Sequence, residues 1–174
     1  MNVYDFDETI LEGDSEIYFF KYVLDTIPEA NIEKDKLPNC TKDEKYRLLL
    51  KYIDNLDDFL EIYWDNHQKY VKEWYLKAHK DDDVVVSATP EFILKPIMKR
   101  LHINNLIATK FDTKTCKTIG KPCYKEEKVI RFKEIYKDII PDKFYSDSDT
   151  DVYMAKISKN AYKVIHDKII PWRY

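Results

Sequence analysis

Two aspartates stand close together near the start of the chain, in the stretch VYDFDETI from Val3 to Ile10. Asp5 and Asp7 are two positions apart, and side chains with this spacing on an extended backbone point to the same side. Their charges repel each other unless a cation or a shared proton lies between them. Because the arrangement is unfavourable by itself, it indicates a chemical role.

Further polar residues end other predicted strands. The apolar run VVVSAT ends in Ser87, Ala88 and Thr89. The run KFYSDSDTD ends in a group of acids, namely Asp147, Asp149 and Asp151. Ligands of open parallel sheets bind beyond the carboxyl ends of the strands. We therefore expect these side chains to meet in one acidic pocket that also carries hydroxyl groups.

Carboxylates that converge on one point require a hard cation. Mg²⁺ is commonly bound by one or two carboxylates together with water and phosphate oxygens. With the repulsion compensated in this way, Asp5 can attack phosphorus and form an acyl phosphate. Asp7 can protonate the leaving oxygen and then deprotonate the attacking water. Phosphoryl transfer also needs positive charge and hydrogen-bond donors, which Ser87 and a lysine on a nearby helix would supply.

The elements that must position these residues can be read from the apolar runs. Five runs predict strands, the last of them weakly: Asn2 to Phe6, Val84 to Thr89, Asn105 to Phe111, Lys143 to Ser148 and Ala161 to His166. Helical patterns lie between them, such as PEFILKPIMKRL from Pro90 onward and YKEEKVIRFKEIYKDI. The alternation predicts an α/β fold with a doubly wound parallel sheet and right-handed crossovers.

One segment interrupts this alternation. From Asp14 to Lys80 the chain carries three amphipathic helical patterns, SEIYFFKYVLDTI, KDEKYRLLLKYI and LDDFLEIYWDNHQKYVKEWYLKAH, with no strand pattern among them. This predicts an all-helical domain, residues 14–80, inserted after the first strand. The core domain then comprises residues 1–13 and 81–174.

Four motifs, DFDET, VSAT, KPCYKEEK and YSDSDTD, occur in this order, each at a predicted strand or helix terminus. Together they resemble the haloacid dehalogenase superfamily of phosphatases, and most closely its phosphoserine-phosphatase-like branch, subfamily IB. The resemblance covers the sheet from Asn2 to Phe6 and from Val84 to about Trp172, and it is weak across the helical insertion. It implies a Rossmann-like core with a C1-type cap over the site.

The resemblance also implies roles for individual residues. Asp5 would be the nucleophile and Asp7 the acid and base. Thr9 would brace the turn that follows them. Ser87 would bind the phosphoryl group, and we count Ala88 and Thr9 with it as substrate-binding residues. The four aspartates expected to bind Mg²⁺ are Asp5, Asp7, Asp147 and Asp151.

The third motif contributes a lysine that orients the nucleophile, and the chain offers Lys121, Lys125 and Lys128. The resemblance selects Lys128, because the family's lysine comes just before an apolar helix. The alternative is that Lys128 is an ordinary solvated helix lysine. Lys125 stands where a glycine is usual in the family and adds positive charge near the mouth of the site.

Some positions allow two interpretations. In phosphoserine phosphatases an acid near the position of Asp14 binds the substrate amine, which makes Asp14 a candidate substrate-binding residue. The alternative, which we favour, is a helix N-cap, because an Asp-Ser pair precedes EIYFF. Asp149 either caps the next helix, which we favour, or touches a metal-bound water. Trp64 and Trp74 either line the underside of the cap or, as we expect, pack in its interior.

Composition limits the remaining classes. The net charge of -3 gives no basic face for nucleic acid. No stretch approaches the roughly 18–20 apolar residues of a membrane span, and no signal-like leader follows Met1, so we expect a cytosolic protein. The expected partner is a small phosphorylated substrate.

Asp7 disfavours carbon-halide hydrolysis, because those dehalogenases lack this second acid. Phosphotransfer to another acceptor and a non-catalytic binding module are the alternatives, and the oligomeric state is open.

Overall fold

A mostly parallel sheet forms the centre of the fold. The computed structural model describes residues 1–173, so position 174 of the predicted core lies outside it. The strands of the described part are β1 (Asn2–Tyr4), β2 (Val84–Pro90), β3 (Asn105–Thr109), β4 (Phe111–Asp112), β5 (Lys117–Thr118), β6 (Lys143–Ser146), β7 (Asn160–Ile165) and β8 (Lys168–Pro171).

The helices of the described part are α1 (Ser15–Thr26), α2 (Lys42–Leu50), α3 (Leu56–His67), α4 (Glu73–Ala78), α5 (Glu91–Arg100), α6 (Glu126–Tyr136) and α7 (Val152–Ile157). Short 3-10 helices cover Pro28–Glu33, Leu37–Asn39, Gln68–Tyr70 and Asp149–Asp151.

The order of strands in the main sheet is β3-β2-β1-β6-β7-β8. In this sheet β3, β2, β1, β6 and β7 are parallel, and β8 runs antiparallel to β7 at the edge. The predicted doubly wound α/β sheet is therefore confirmed. The strand β1 lies in the middle, where Val3 pairs with Val84 of β2 and Phe144 of β6. The residues after β1 are thus flanked by the ends of two other strands.

The first and fourth predicted strands were too long at their carboxyl ends. The first strand ends at Tyr4, not Phe6, and the fourth ends at Ser146, not Ser148. Asp5 and Asp7 consequently lie in the loop that follows β1, although the Asp5 amide still donates to the Tyr145 carbonyl at 2.9 Å.

Successive residues of the central strand face opposite sides of the sheet. Val3 belongs to an apolar cluster with Phe132 of α6 and Met154 of α7. Tyr4 belongs to a larger cluster on the other face, which also contains Phe19 of α1. Both faces of β1 are therefore covered by helices, as the uninterrupted apolar pattern of the strand predicts.

The segment between β1 and β2 holds α1 to α4 and, within the described residues, no strand. An isolated antiparallel bridge joins Leu11, which precedes α1, and Val71, which lies between α3 and α4. The predicted helical run from Leu56 to His79 is broken at Gln68–Tyr70, because the chain leaves the helix there to form this bridge. The helices share their apolar cluster with Tyr4 and Phe6. The division into two domains stays a prediction.

Side-chain caps fix where α1 and α2 begin. Asp14 caps α1, since its carboxylate accepts from the Glu16 and Ile17 amides. Thr41 and Glu44 form a reciprocal capping box at the start of α2. Each cap satisfies amides that a helix leaves without partners in its first turn.

The two tryptophans of the insertion are packing residues, as expected. Trp64 is buried, and its indole N–H donates to the Ile93 carbonyl at 2.7 Å. Trp74 packs beside Tyr4 and Tyr145, with ring centroids 6.2 and 5.7 Å away. Neither residue lines the candidate site described below.

Among residues 1–173, no helix combines the length and the apolar character that a membrane crossing requires. The cytosolic location stays a prediction.

Candidate active site

A pocket of about 200 Å³ lies at the carboxyl ends of β1, β2 and β6. Seven of the residues predicted for the site line it: Asp5, Asp7, Asp14, Ala88, Lys128, Asp147 and Asp151. Residues far apart in the sequence thus meet at one edge of the sheet, as the parallel topology requires.

A buried lysine joins two of the acids. The Lys128 ammonium donates to Asp5 Oδ1 at 2.8 Å and to Asp151 Oδ2 at 2.7 Å. Only 2% of Lys128 is exposed, so the ammonium has these carboxylates as partners in place of bulk water. Lys128, placed in the first turn of α6, therefore contacts the predicted nucleophile, whereas the solvated-lysine alternative is wrong.

The same burial shifts the titration of these groups. Burial raises the pKa of the Asp5 carboxyl, and this outweighs the attraction of Lys128, while the charge of Asp151 raises it further. Burial by itself would lower the pKa of the Lys128 ammonium. The charges of Asp5 and Asp151 outweigh that effect and raise it, so Lys128 keeps its proton at neutral pH.

Both oxygens of Asp7 have hydrogen-bond partners on opposite sides. Oδ1 accepts from the Ser15 amide at 2.7 Å, and Oδ2 accepts from Thr89 Oγ1 at 2.6 Å. Burial, reinforced by the charge of Asp14, raises the pKa of Asp7 to about 6. A carboxyl with a pKa near the working pH can both release and accept a proton, which suits a general acid and base.

Thr89 was expected in the pocket from its place at a strand end, but no specific role was predicted for it. It lines the pocket beside Ala88, whereas Ser87 is fully buried behind them and its Oγ accepts from the Thr89 amide at 3.1 Å. The position of Thr89 at a strand end was the available signal. The role of Ser87 in binding a phosphoryl group stays a prediction.

Thr9 lies behind the pocket wall and is also fully buried. Its Oγ1 accepts from the Asp147 amide at 3.0 Å, so it ties the loop after β1 to the loop after β6. This contact agrees with the expected bracing of the turn. Direct contact of Thr9 with a substrate stays a prediction.

Two ambiguous acids have different outcomes. Asp14 is the N-cap of α1, as favoured, and it also lines the pocket. The favoured capping role of Asp149 is wrong, because Ser148 provides the cap by accepting from the Thr150 amide. The Asp149 side chain is 92% exposed and pairs with Lys163 at 2.8 Å.

The helical insertion adds residues that no motif predicted. Glu16 of α1 and Lys42 of α2 line the pocket and form an ion pair at 2.6 Å. They reach the site only because α1 and α2 pack over it, so sequence reading had no local signal for them. Glu8 and Tyr124 complete much of the rim.

The donor set suits a hard cation in its chemistry. Asp5, Asp147 and Asp151 line one pocket, and Asp151 Oδ1 is buried without a hydrogen-bond partner among the described residues. Such an orphaned carboxylate oxygen is a suitable ligand for Mg²⁺. Within residues 1–173, however, no three His, Cys, Asp or Glu side chains already stand together as a metal-binding group. Lys128 provides the positive charge between Asp5 and Asp151.

Lys125, the N-cap residue of α6, adopts φ +53° and ψ −125°. This conformation strongly favours glycine, the residue usual at this place in the resembling family. We expect Lys125→Gly to raise the free energy of unfolding by about 1 kcal/mol, because the strain is relieved. Urea denaturation measures the change. Lys133→Gly, on the exposed face of α6, is the matched control and should lower stability by about 1 kcal/mol; equal destabilisation by both variants would contradict the argument.

Comparison with known proteins agrees with the fold and identifies the family. The family model of haloacid dehalogenase-like hydrolases matches residues 3–156. The chain therefore belongs to the haloacid dehalogenase-like hydrolase family, which confirms the resemblance inferred from the four motifs.

Among curated proteins, a histidinol-phosphatase of Neisseria meningitidis serogroup C (strain 8013) is 24% identical, over 89% of this chain and 85% of that protein. A solved structure from Bordetella pertussis Tohama I, of unknown function, has a TM-score of 0.75 and 21% identity, covering 92% of this chain and 87% of that one. A phosphoserine phosphohydrolase-like protein from Francisella tularensis subsp. tularensis SCHU S4 has a TM-score of 0.59 and 13% identity, covering 92% and 86%.

Proposed function

We propose that this hydrolase is a magnesium-dependent phosphatase that acts on a small phosphorylated metabolite through an aspartyl-phosphate on Asp5. The observation that carries the proposal is the buried ion pair of Lys128 with Asp5 and Asp151, which opens on the same pocket as Asp7. The names of two similar proteins, a histidinol-phosphatase and a phosphoserine phosphohydrolase-like protein, support the phosphatase class.

In the proposed reaction, an oxygen of Asp5 attacks phosphorus while the bond from phosphorus to the ester oxygen breaks. Asp7 gives its proton to the departing oxygen, which leaves as an alcohol. Asp7 then accepts a proton from a water molecule that attacks the aspartyl-phosphate, and inorganic phosphate departs. Lys128 holds the Asp5 carboxylate in place through both steps.

Asp5, Asp147 and Asp151 are the residues that would hold Mg²⁺, and Asp151 Oδ1 is the oxygen with no other partner in the described part of the chain. The metal would neutralise negative charge on the phosphoryl group and its neighbouring carboxylates. Asp7 was also predicted near the metal. Since both of its oxygens accept hydrogen bonds from the protein, we propose it as acid and base alone.

The proposal predicts release of phosphate from p-nitrophenyl phosphate in the presence of Mg²⁺, with water as the only acceptor. Treatment with EDTA should lower the rate at least about a hundredfold, because a metal contributes several kcal/mol to such a transition state. Added Mg²⁺ should restore the rate.

Hydrolysis that continues unchanged in EDTA would contradict the metal dependence. Release of p-nitrophenol only when another acceptor is added, with the phosphoryl group transferred to that acceptor and no inorganic phosphate released, would favour the phosphotransferase alternative. No release from any member of a panel of phosphorylated metabolites would favour a non-catalytic binding module.

A further inference from the structure

One lysine outside the pocket is buried in an unusual environment. Lys72 is only 6% exposed, and among residues 1–173 it forms no ion pair with a carboxylate. Its ammonium donates instead to two backbone carbonyls, Glu8 O at 2.6 Å and His166 O at 2.8 Å. Burying an ammonium is unfavourable unless it is paired with a counter-charge and hydrogen-bonded, and in the described part of the chain the Lys72 ammonium has only these two carbonyl partners, so they require an explanation.

Both carbonyls belong to residues with a strained backbone. Glu8 has φ +55° and His166 has φ +53°, a region that residues other than glycine adopt at a cost. Glu8 lies in the loop after β1, and His166 lies in the turn between β7 and β8. The Lys72 ammonium therefore joins two turns that are far apart in the sequence.

The backbone of Lys72 fixes the same loop from its other end. The Lys72 amide donates to the Ile10 carbonyl at 2.8 Å, next to the bridge between Leu11 and Val71. Lys72 thus binds the loop after β1 at Glu8 and again at Ile10. Between these two points, Thr9 contacts the Asp147 amide.

The neighbour of Glu8 on the other side is Asp7, the proposed acid and base. We propose that Lys72 is a positioning residue, which fixes the Glu8 carbonyl and thereby keeps the Asp7 carboxyl directed at the leaving oxygen. This inference rests on the proposed phosphatase function. Lys72 does not line the pocket, so it would act only through the loop.

The test compares two substrates of similar shape that differ in their need for a proton donor. Phenyl phosphate has a poor leaving group that depends on protonation, whereas p-nitrophenyl phosphate has a good one. A displaced Asp7 should slow the first substrate more than the second. For each protein the measured quantity is kcat/KM for p-nitrophenyl phosphate divided by kcat/KM for phenyl phosphate. In Lys72→Met we expect this ratio to be about tenfold higher than in wild type. A tenfold rise is a fraction of the rate that general acid catalysis usually contributes, because Asp7 would be displaced and not removed.

This ratio does not depend on how much of the variant is folded, because unfolded molecules lower both rates equally. Lys72→Arg keeps a cationic donor and should raise the ratio less than Lys72→Met does. If Lys72→Met yields no folded protein, the test is whether the ratio in Lys72→Arg exceeds that of wild type. Lys69→Met, at an exposed lysine of the same segment, is the matched control and should leave the ratio unchanged. An unchanged ratio in the Lys72 variants would overturn the inference, whereas a wild-type protein inactive on both substrates would overturn the proposed function itself.

Discussion

Asp5→Asn is expected to lower kcat for p-nitrophenyl phosphate by at least about 10⁴-fold, the scale of loss seen when a catalytic nucleophile is removed. The amide has nearly the shape of the carboxylate but cannot attack phosphorus to form an acyl phosphate. The substitution also removes a negative charge from a buried group whose pKa is already raised by burial. The fold should therefore survive, and the loss should lie in chemistry.

Two measurements separate this result from a general loss of structure. Acid-quenched wild-type enzyme should carry a phosphoryl group on the peptide that contains Asp5, and the Asp5→Asn protein should carry none. Asp149→Asn is the matched control, because this exposed aspartate stands near the metal-binding candidates without facing the chemistry. It should keep activity within about twofold, because its side chain is exposed and does not line the pocket. If Asp5→Asn kept more than a tenth of wild-type activity, the nucleophile would have to be another residue.

Lys128→Met is expected to lower the free energy of unfolding by about 3–5 kcal/mol, the usual result of removing one partner from a buried ion pair. Two acids, Asp5 and Asp151, would then remain buried near each other without their cation. Denaturant unfolding monitored by fluorescence measures the loss. Activity should fall as well, since the carboxylate of Asp5 would no longer be held.

The origin of this instability can be checked by charge and by pH. Adding Asp151→Asn to Lys128→Met should recover part of the stability, because one uncompensated charge is removed. The difference from wild type should also shrink as the pH falls from 8 toward 4. Burial holds the pKa of Asp5 above its unfolded value, so protonation at lower pH removes the penalty of the buried charge. Lys133→Met on the exposed face of α6 should change stability by less than about 0.5 kcal/mol; an equal loss there would refute the ion-pair explanation.

Sequence patterns predicted the central part of the fold well, because buried parallel strands are continuous apolar runs. Val84 to Thr89 is an example, and the structure forms β2 there. The antiparallel strand β8 was missed, since all four of its residues are exposed and give no buried-strand pattern. The hairpin of β4 and β5 was missed because each strand has only two residues.

The site was predictable where a residue's role depends on its own motif. The resemblance in the third motif selected Lys128, and Lys128 does contact Asp5. The hydrogen bond of Thr89 to Asp7 and the presence of Lys42 in the pocket were missed, because they depend on how a strand end and an inserted helix pack around the site. The capping role assigned to Asp149 failed for a similar reason, since the adjacent Ser148 can offer the same hydrogen bond.

The bridge between Leu11 and Val71 has a consequence for the variability of the enzyme. Because Leu11 and Val71 pair with each other, the part of the insertion that holds α1 to α3 begins and ends at a single point. A segment whose ends are joined in this way can change in length and in loop composition without altering the spacing of the strands beside it. Glu16 and Lys42 come from this segment, whereas Asp5 and Lys128 do not. Preference among phosphate esters can thus diversify while the reacting groups remain fixed.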